Sequence, residues 1–308
     1  MGNATAILQL SQARGLGAVT LDRLLSLIAQ EGQAPEDVVR ASVEDLVHHY
    51  GLRSTVAEAV KTTRDDAQRL SERLEGKNIQ TFYKGSATYP EHLNRVLGKS
   101  APPVLFAKGN IDLLRRKAVG FCGSRKTSAK GLGVAEACAE ILTQADVNVV
   151  SGYASGTDLA AHCGALKAGG VTTLVLAEGI LNFSLKQELA RVFDEDRYLV
   201  VSEFAPTLKW IARNAMKRNR TICGLSDAMI LIESGLTGGT FAAGETTLEL
   251  GLPLFVVEYA DPPDSAEANQ YFLEKGALPL RRRREENKPN LDPVLRVLEH
   301  PLVTKDKP

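Results

Sequence analysis

The order of hydrophobic and polar positions divides the chain into two regions. Residues 1–75 carry apolar positions at helical spacing and no run typical of a strand, which predicts a set of short helices. After residue 75, short apolar runs alternate with longer stretches of helical spacing. The runs predict eight strands, at residues 79–83, 104–108, 118–122, 147–151, 172–176, 198–202, 228–232 and 254–258. The stretches between them predict helices near residues 130–144, 156–168, 184–195, 208–223 and 240–250.

This alternation predicts an α/β fold, in which a Rossmann-like, mostly parallel sheet carries helices on both faces. A small all-α domain precedes the sheet. There Gly15 and Gly17 separate two helices, a pattern that resembles a helix-hairpin-helix or SAM-like unit. Such a turn can hold a DNA phosphate or serve packing alone. We expect the helical domain over residues 1–75, the Rossmann-like domain over 76–285, and a C-terminal tail over 286–308 without a winged-helix domain.

Capping residues predict where some of the helices begin and end. Thr20 is the expected N-cap of a helix over residues 21–28. Ser42 is the expected N-cap of a helix over residues 43–49, which Gly51 ends. Residues 54–74 predict one longer helix, and residues 293–298 predict a short last helix.

Two strand-to-helix junctions carry the clearest chemical signal. Gly123-Ser124-Arg125 follows the third predicted strand, and the segment SGYASGTD at residues 151–158 follows the fourth. Glycine lets the backbone approach a ligand closely, and a helix N-terminus offers unpaired N–H groups with a partial positive charge. Arg125 can hold a phosphate through two hydrogen bonds. The sequence therefore predicts a phosphate site at the carboxyl edge of the sheet.

A second basic group lies near residues 209–220. Lys209, Arg213, Lys217 and Arg220 follow one another at steps of four, four and three, so a helix would place them on one face, with Arg218 beside it. The chain holds 37 basic and 37 acidic residues and has no net charge, so a polyanion would need such a local patch. The alternative is a solvated face paired with Asp and Glu. Similarly, Trp210 could stack on a base or anchor the helix.

Two features could carry catalysis. Asp158 and His162 lie four residues apart and could form an acid/base pair. Alternatively, Asp158 could interact with the helix dipole and His162 could be a packing residue. Gly239-Thr240, followed by Glu245 and Glu249, is similar to the Gly-Gly-x-Gly-Thr-x-x-Glu loop of the lysine-decarboxylase-like phosphoribohydrolases. However, the third residue after Thr240 is alanine, so that loop's glutamate is missing at the matching position, although Glu245 or Glu249 could replace it. We therefore predict no catalytic residue.

Composition excludes several other classes. The cysteines, Cys122, Cys138, Cys163 and Cys223, form no CxxC pair, which predicts buried, reduced thiols and no metal site. No cofactor is expected either. No apolar run has the length of a membrane span, and the N-terminus lacks a signal-peptide pattern, so we expect a cytoplasmic protein without a membrane partner.

The motifs together resemble the DprA/Smf family of DNA-processing proteins. In chain order they are Tyr89-Pro90, Gly123-Ser124-Arg125, Ser151-Gly152-x-Ala154-x-Gly156-x-Asp158, Ser202-Glu203, Arg218-Asn219-Arg220, Gly239-Thr240 and Asn269 with Gly276-Ala277. Three places depart from the family's pattern: Ala215-Met216 replace Phe-Pro, Asn182-Phe183-Ser184 replace Tyr-Pro, and Val257-Glu258-Tyr259 replace a Pro-Gly ending. The chain is thus similar to a divergent member of the family.

The resemblance implies a protein that binds single-stranded DNA without chemistry, forms a homodimer, and helps to load RecA recombinase during recombination and transformation. The implied DNA- or phosphate-binding residues are Gly123, Ser124, Arg125, Ser151, Gly152, Ala154, Gly156, Thr157, Asp158, Lys217, Arg218, Asn219, Arg220, Gly239 and Thr240. The alternative is a nucleotide-ligand sensor or phosphoribohydrolase-like enzyme that uses the same edge pocket, as in some defence systems.

Overall fold

The computed structural model describes residues 2–283 and 288–299 of the chain. Nine strands form one sheet: β1 (Ile79–Tyr83), β2 (Val104–Gly109), β3 (Ala118–Cys122), β4 (Asn148–Ser151), β5 (Thr172–Val175), β6 (Tyr198–Ser202), β7 (Ala228–Leu231), β8 (Leu254–Val257) and β9 (Leu278–Leu280). Their spatial order is β1-β2-β6-β5-β4-β3-β7-β8-β9. The strands from β3 to β9 run parallel, whereas β2 lies antiparallel to both β6 and β1.

The helices are α1 (Asn3–Gln12), α2 (Ala18–Gln30), α3 (Pro35–Arg40), α4 (Val43–His48), α5 (Ser54–Thr62), α6 (Arg64–Glu75), α7 (Glu91–Leu97), α8 (Ala129–Gln144), α9 (Thr157–Lys167), α10 (Gln187–Ala190), α11 (Ala212–Gly224), α12 (Gly239–Glu249), α13 (Asn269–Glu274) and α14 (Asp292–Glu299). Short 3₁₀ turns lie at Gly98–Ser100, Ile111–Arg115, Ile180–Asn182 and Asp264–Ala266. The first six helices contain no strand between them, as expected.

Both faces of the sheet are covered, which confirms the predicted fold class. Along β3, Val119 and Phe121 belong to a core that also holds residues of α8, α9 and α14, while Ala118 and Cys122 belong to a core with residues of α7, α11 and α12. Successive side chains of a strand point to opposite faces, so these buried runs need apolar residues at every position. A third core joins α1–α6 to one face of β1, β2, β5 and β6.

The order of the strands creates a switch point beside β3. From β3 the chain proceeds outward through β4, β5 and β6, and it then returns to the other side of β3 with β7. In open α/β sheets, ligands bind outside the carboxyl ends of the strands near such a point. The loops after β3, β4, β5, β6 and β7 all open onto this edge.

Several predicted helix limits are wrong. The helix α2 begins at Ala18 with Gly17 as N-cap, so Thr20 is an interior residue. Residues 54–74 form two helices, because Thr63 leaves the helical path and its Oγ1 donates to the carbonyl of Gln9 or Ala59. Of the helix predicted near 184–195, only Gln187–Ala190 forms.

Other predicted positions are confirmed. Ser42 caps α4 and accepts a hydrogen bond from the Asp45 N–H. The predicted last helix corresponds to α14, whose Val294 and Leu298 are buried against the sheet. Residues 284–287 and 300–308, which include about half of the predicted C-terminal tail, lie outside the described residues. No helix in the described part is both long and apolar enough to cross a membrane.

Candidate nucleic-acid interface

The loops after β3 and β4 fit into one another. A Cβ atom at Gly123 would lie 2.1 Å from Thr157 Oγ1, and one at Gly156, whose φ is +79°, would lie 2.5 Å from the Ser124 carbonyl oxygen. Thr157 Oγ1 lies 2.7 Å from Thr127 Oγ1, and the Ser124 N–H donates to the Glu233 carbonyl at 2.9 Å. The two glycines therefore permit close packing between loops, and the Ser124 amide is engaged within the protein.

Asp158 stabilises the loop that follows β4 through hydrogen bonds. Its carboxylate accepts hydrogen bonds from Ser151 Oγ at 2.8 Å and from the Ala154 N–H at 3.0 Å, and the residue is buried. His162 is also fully buried, with Nε2 2.6 Å from the Gly152 carbonyl oxygen. Burial lowers the pKa of His162. The two side chains thus hold the loop in place, and His162 presents no exposed nitrogen to a substrate.

Arg218 lies over this loop, where only glycine leaves room for it. A Cβ atom at Gly152 would lie 1.4 Å from Arg218 Nη1. Arg218 is 6% exposed, and its Nη1 lies 3.8 Å from Asp158 Oδ2. Burial lowers the pKa of Arg218, while the Asp158 carboxylate opposes this shift. The loop, Asp158 and Arg218 therefore form one packed unit.

A cavity of about 250 Å³ opens above this unit. Its lining residues are Arg125, Tyr153, Ala154, Ser155, Leu176, Ala177, Glu178, Lys186, Trp210 and Arg218. The exposed Trp210 lies beside Arg125, whose guanidinium carbon is 5.7 Å from the centre of the Trp210 ring. Lys186 donates to the Tyr153 carbonyl at 2.7 Å and lies over the Tyr153 ring. Arg125 and Arg218, predicted separately, thus meet at one cavity with an aromatic wall.

The predicted basic stripe is wrong as a single helix face. Lys209 precedes α11, which begins at Ala212, and therefore does not share its face. Lys217 pairs with Glu203 at 2.6 Å, and Arg220 approaches Glu249 at 3.9 Å. Within the described residues, Lys209 and Arg213 make no ion pair within 4 Å, and both are exposed. The unpaired basic charge near Trp210 thus comes from Arg125, Lys209 and Arg213.

The last predicted loop lies beside this surface. Gly239 begins α12, and its carbonyl accepts a hydrogen bond from Asn219 Nδ2 at 2.8 Å. Asn219 therefore connects the Arg-Asn-Arg motif to the Gly239-Thr240 loop. Ala243, at the position of the glutamate in the phosphoribohydrolase loop, is buried in the core.

The most important residue that the sequence reasoning missed is Glu233, which follows β7. Its carboxylate is fully buried and accepts hydrogen bonds from the Ser128 N–H, Ser128 Oγ, Tyr259 Oη and Ser265 Oγ. These bonds join the loops that follow β3 and β7, whereas the cavity is lined by residues that follow β3, β4 and β5. An acidic residue directly after an apolar strand was the only signal in the sequence. Glu178 and Lys186 in the cavity wall were missed as well.

The described residues offer no metal site: no three His, Cys, Asp or Glu side chains in them are arranged to hold an ion. All four cysteines are buried and free. Chemically, the edge offers unpaired cations, one exposed indole ring and a polar cavity. These features are typical of a doubly wound α/β protein that binds a phosphorylated ligand or a nucleic-acid strand.

Comparison with known proteins agrees with this class. Residues 80–286 match the family described as DNA recombination-mediator protein A. DNA processing protein DprA of Streptococcus pneumoniae is 32% identical over 261 residues, covering 84% of this chain and 89% of the relative. Its crystal structure superposes with a TM-score of 0.76 at 27% identity, covering 91% of this chain and 95% of that one. The chain belongs to the DNA recombination-mediator protein A family.

Two further relatives show the range of the family. Protein Smf of Escherichia coli is 29% identical over 207 residues, which cover 67% of this chain but 55% of the longer relative. DNA processing protein A of Helicobacter pylori, whose structure was determined to describe its single-stranded DNA binding mode, has the same fold. It superposes with a TM-score of 0.56 at 24% identity, covering 65% of this chain and 90% of that one.

Proposed function

We propose that this protein binds single-stranded DNA and acts as a DNA-processing protein in recombination and transformation. The observation that carries the proposal is Arg125 beside the exposed Trp210 in the wall of an open cavity, with the exposed Lys209 and Arg213 within three residues of Trp210 along the chain. Unpaired cations attract phosphates, and an exposed aromatic ring stacks on any base. A pocket that enclosed a small ligand would instead be lined mainly by apolar side chains.

The family relationship supports the rest of the proposal. We infer that the protein works by binding, without turnover, and that Gly123, Ser151, Gly152, Gly156 and the other glycine-loop residues position the phosphate-binding side chains. By analogy with the family, the proposed partners are a second copy of this chain and RecA recombinase, in the cytoplasm where the incoming strand is processed. No cofactor enters the proposal.

Arg125→Ala is the first test of the DNA-binding surface. We expect the variant to bind a labelled oligo(dT) strand about 1.5–3 kcal/mol more weakly, the contribution of a hydrogen bond to a charged group. Arg115→Ala is the matched control, because Arg115 precedes β3 and lies at the opposite edge of the sheet. Equal affinities of both variants and the unmodified protein, measured by fluorescence anisotropy, would remove Arg125 from the interface.

The salt dependence distinguishes paired from unpaired cations. Each phosphate contact on a single strand contributes about 0.7 to the slope of log affinity against log salt concentration. Replacing Lys209 and Arg213 by Ala should lower the slope by about 1.4. The Lys217→Ala/Arg220→Ala double variant should change it less, because these side chains already face Glu203 and Glu249. The reverse order would contradict the assignment of the surface.

The second candidate, a sensor of one nucleotide, is favoured by the small volume of the cavity, about 250 Å³. Labelled single-stranded DNA, duplex DNA and a panel of nucleoside monophosphates, NAD and ATP separate the two functions. A DNA-binding protein prefers the single strand and releases no product from the nucleotides. Tight binding of one nucleotide without strand binding, or release of a free base, would favour the sensor or hydrolase.

A further inference from the structure

A single carboxylate stands among the cations of the cavity. Glu178 follows β5, and Ser202 Oγ donates to its carbonyl oxygen at 2.6 Å, which fixes the backbone there. Among the described residues, nothing donates a hydrogen bond to the Glu178 carboxylate, and no cation lies within 4 Å of it. Burial raises the pKa of Glu178, while the charge of Lys186 opposes the shift. The carboxylate is thus partly desolvated without a partner.

The surrounding cations are engaged elsewhere. Arg125 contacts the ring of Trp210, Lys186 donates to the Tyr153 carbonyl, and Arg218 faces Asp158. Glu178 is therefore not needed to neutralise any of them. In a cavity that binds only phosphate, an unpaired carboxylate would repel the ligand and weaken binding. A ligand that donates hydrogen bonds would instead bind to this carboxylate.

The four DNA bases differ in the hydrogen-bond donors that they can offer to the Glu178 carboxylate. An ionised carboxylate only accepts, and its two oxygens can take two parallel hydrogen bonds. Adenine and cytosine present one amino group on the pairing edge, and thymine presents one imino N–H. Guanine alone presents two adjacent donors, the N1–H and the 2-amino group. The cavity, at about 250 Å³, is smaller than a typical ligand pocket of roughly 300–1,000 Å³, which suits one base with its sugar and phosphates outside.

We propose that this cavity receives one guanine base, and that Glu178 accepts hydrogen bonds from its N1–H and 2-amino group. Trp210 and Tyr153 provide aromatic surface in the wall, and Arg125 provides charge for the adjoining phosphate. The inference rests on the proposed function, because it takes the guanine from a DNA strand. It adds a base preference to a surface that otherwise reads only the backbone.

The test compares three oligonucleotides that differ at one position. An oligo(dT) strand carries thymine, guanine or hypoxanthine at its centre, and hypoxanthine lacks the 2-amino group. We expect the unmodified protein to bind the guanine strand about 10-fold more tightly than the thymine strand, within the range for a bidentate base contact. The hypoxanthine strand should bind with intermediate affinity. Glu178→Gln should remove the guanine preference, so that the guanine and thymine strands bind with equal affinity.

Glu188→Gln is the matched control, since it removes the same charge from an exposed residue that also acts on Lys186. This variant should keep the preference. Equal affinity of the unmodified protein for guanine and thymine strands, or a preference that survives in Glu178→Gln, would overturn the inference. If Glu178→Gln fails to fold, the comparison of the three strands still decides.

Competition with guanosine monophosphate separates the sources of the base. Weak competition, together with binding of all three strands, supports a guanine held within DNA. Binding of oligo(dT) without any guanine preference contradicts the inference about Glu178 and leaves the proposed function standing. Tight, Glu178-dependent binding of guanosine monophosphate without binding of any strand would instead refute the proposed function while supporting guanine recognition.

Discussion

Glu233→Gln tests whether the buried carboxylate at the switch point holds the site together. Four donors reach it: the Ser128 N–H at 2.8 Å, Ser128 Oγ at 2.5 Å, Tyr259 Oη at 3.0 Å and Ser265 Oγ at 2.6 Å. Glutamine keeps the shape of the side chain, but its amide accepts at one atom only and donates at the other. Two of the four donors then face an NH₂ group.

The expected loss of stability follows from these contacts. A hydrogen bond to a charged group contributes about 1.5–3 kcal/mol, whereas a neutral one contributes about 0.5–1.5 kcal/mol. Glutamine weakens all four bonds, because none of them then involves a charged group and a donor that faces the NH₂ group keeps a bond only where its hydroxyl turns to accept. The substitution also removes the cost of burying a charge, which offsets part of the loss. Neighbouring contacts do not add fully. We therefore expect the free energy of unfolding to fall by about 2–4 kcal/mol.

Urea denaturation measures this change, with fluorescence and circular dichroism followed together to check that one transition is observed. Glu258→Gln is the control, because Glu258 is exposed and pairs with Arg281 at the surface, so its loss should cost less than about 1 kcal/mol. The Glu233 backbone also holds the Ser124 amide, so strand binding should weaken in Glu233→Gln under native conditions. A change below about 0.5 kcal/mol would refute the reasoning, since four buried bonds would then contribute nothing net.

Three further variants test the loop and the core. Gly152→Ala should displace Arg218 from Asp158 and weaken strand binding severalfold, because the added Cβ would lie 1.4 Å from Arg218 Nη1; anisotropy titration would show it. Because the folded-state pKa of His162 lies below its ordinary value of about 6.5, the unfolded state binds more protons as pH falls through 6.5. Stability should therefore decrease there, by at most about 1.4 kcal/mol per pH unit, and His162→Gln should flatten the dependence in urea titrations at several pH values. Asn269→Ala should lower the free energy of unfolding by about 2–4 kcal/mol, since the buried amide binds the Ser234 N–H and two carbonyl oxygens; an unchanged midpoint would contradict this.

The sheet was predictable because its central strands are buried on both faces. Such strands are short, continuous apolar runs, and all eight predicted strands lie within one residue of their observed ends. The strand β9 was missed because it is three residues long, contains Pro279, and leaves Leu278 exposed. The helices α3, α7 and α13 have six or seven residues, too few for a periodic pattern.

The location of the candidate site could be predicted from the sequence, but the contacts of its residues could not. Local spacing placed Arg218 and Arg220 in one basic group, whereas the fold buries Arg218 over Gly152 and leaves Arg220 beside Glu249. Helical spacing gives the direction of a side chain only once the start of the helix is known. Helical spacing does not show which distant residue that side chain will contact. Glu178 and Glu233 both follow an apolar strand, but four donors reach the Glu233 carboxylate and, among the described residues, none reaches that of Glu178.

The distribution of charge at the carboxyl edge is consistent with the proposed binding of a polyanion by a protein without net charge. Asp158 and Glu233 lie beneath the surface, where loop amides and hydroxyls occupy their oxygens, and Glu203 is covered by Lys217. Arg125 and Arg213 remain at the surface without a carboxylate partner within 4 Å among the described residues. The buried carboxylates thus stabilise the loops, while the exposed cations determine the electrostatic potential that an approaching strand would encounter. In the proposed complex, binding through so few phosphates is expected to be moderately salt-dependent, and we expect Trp210 and the cavity to contribute the remaining affinity.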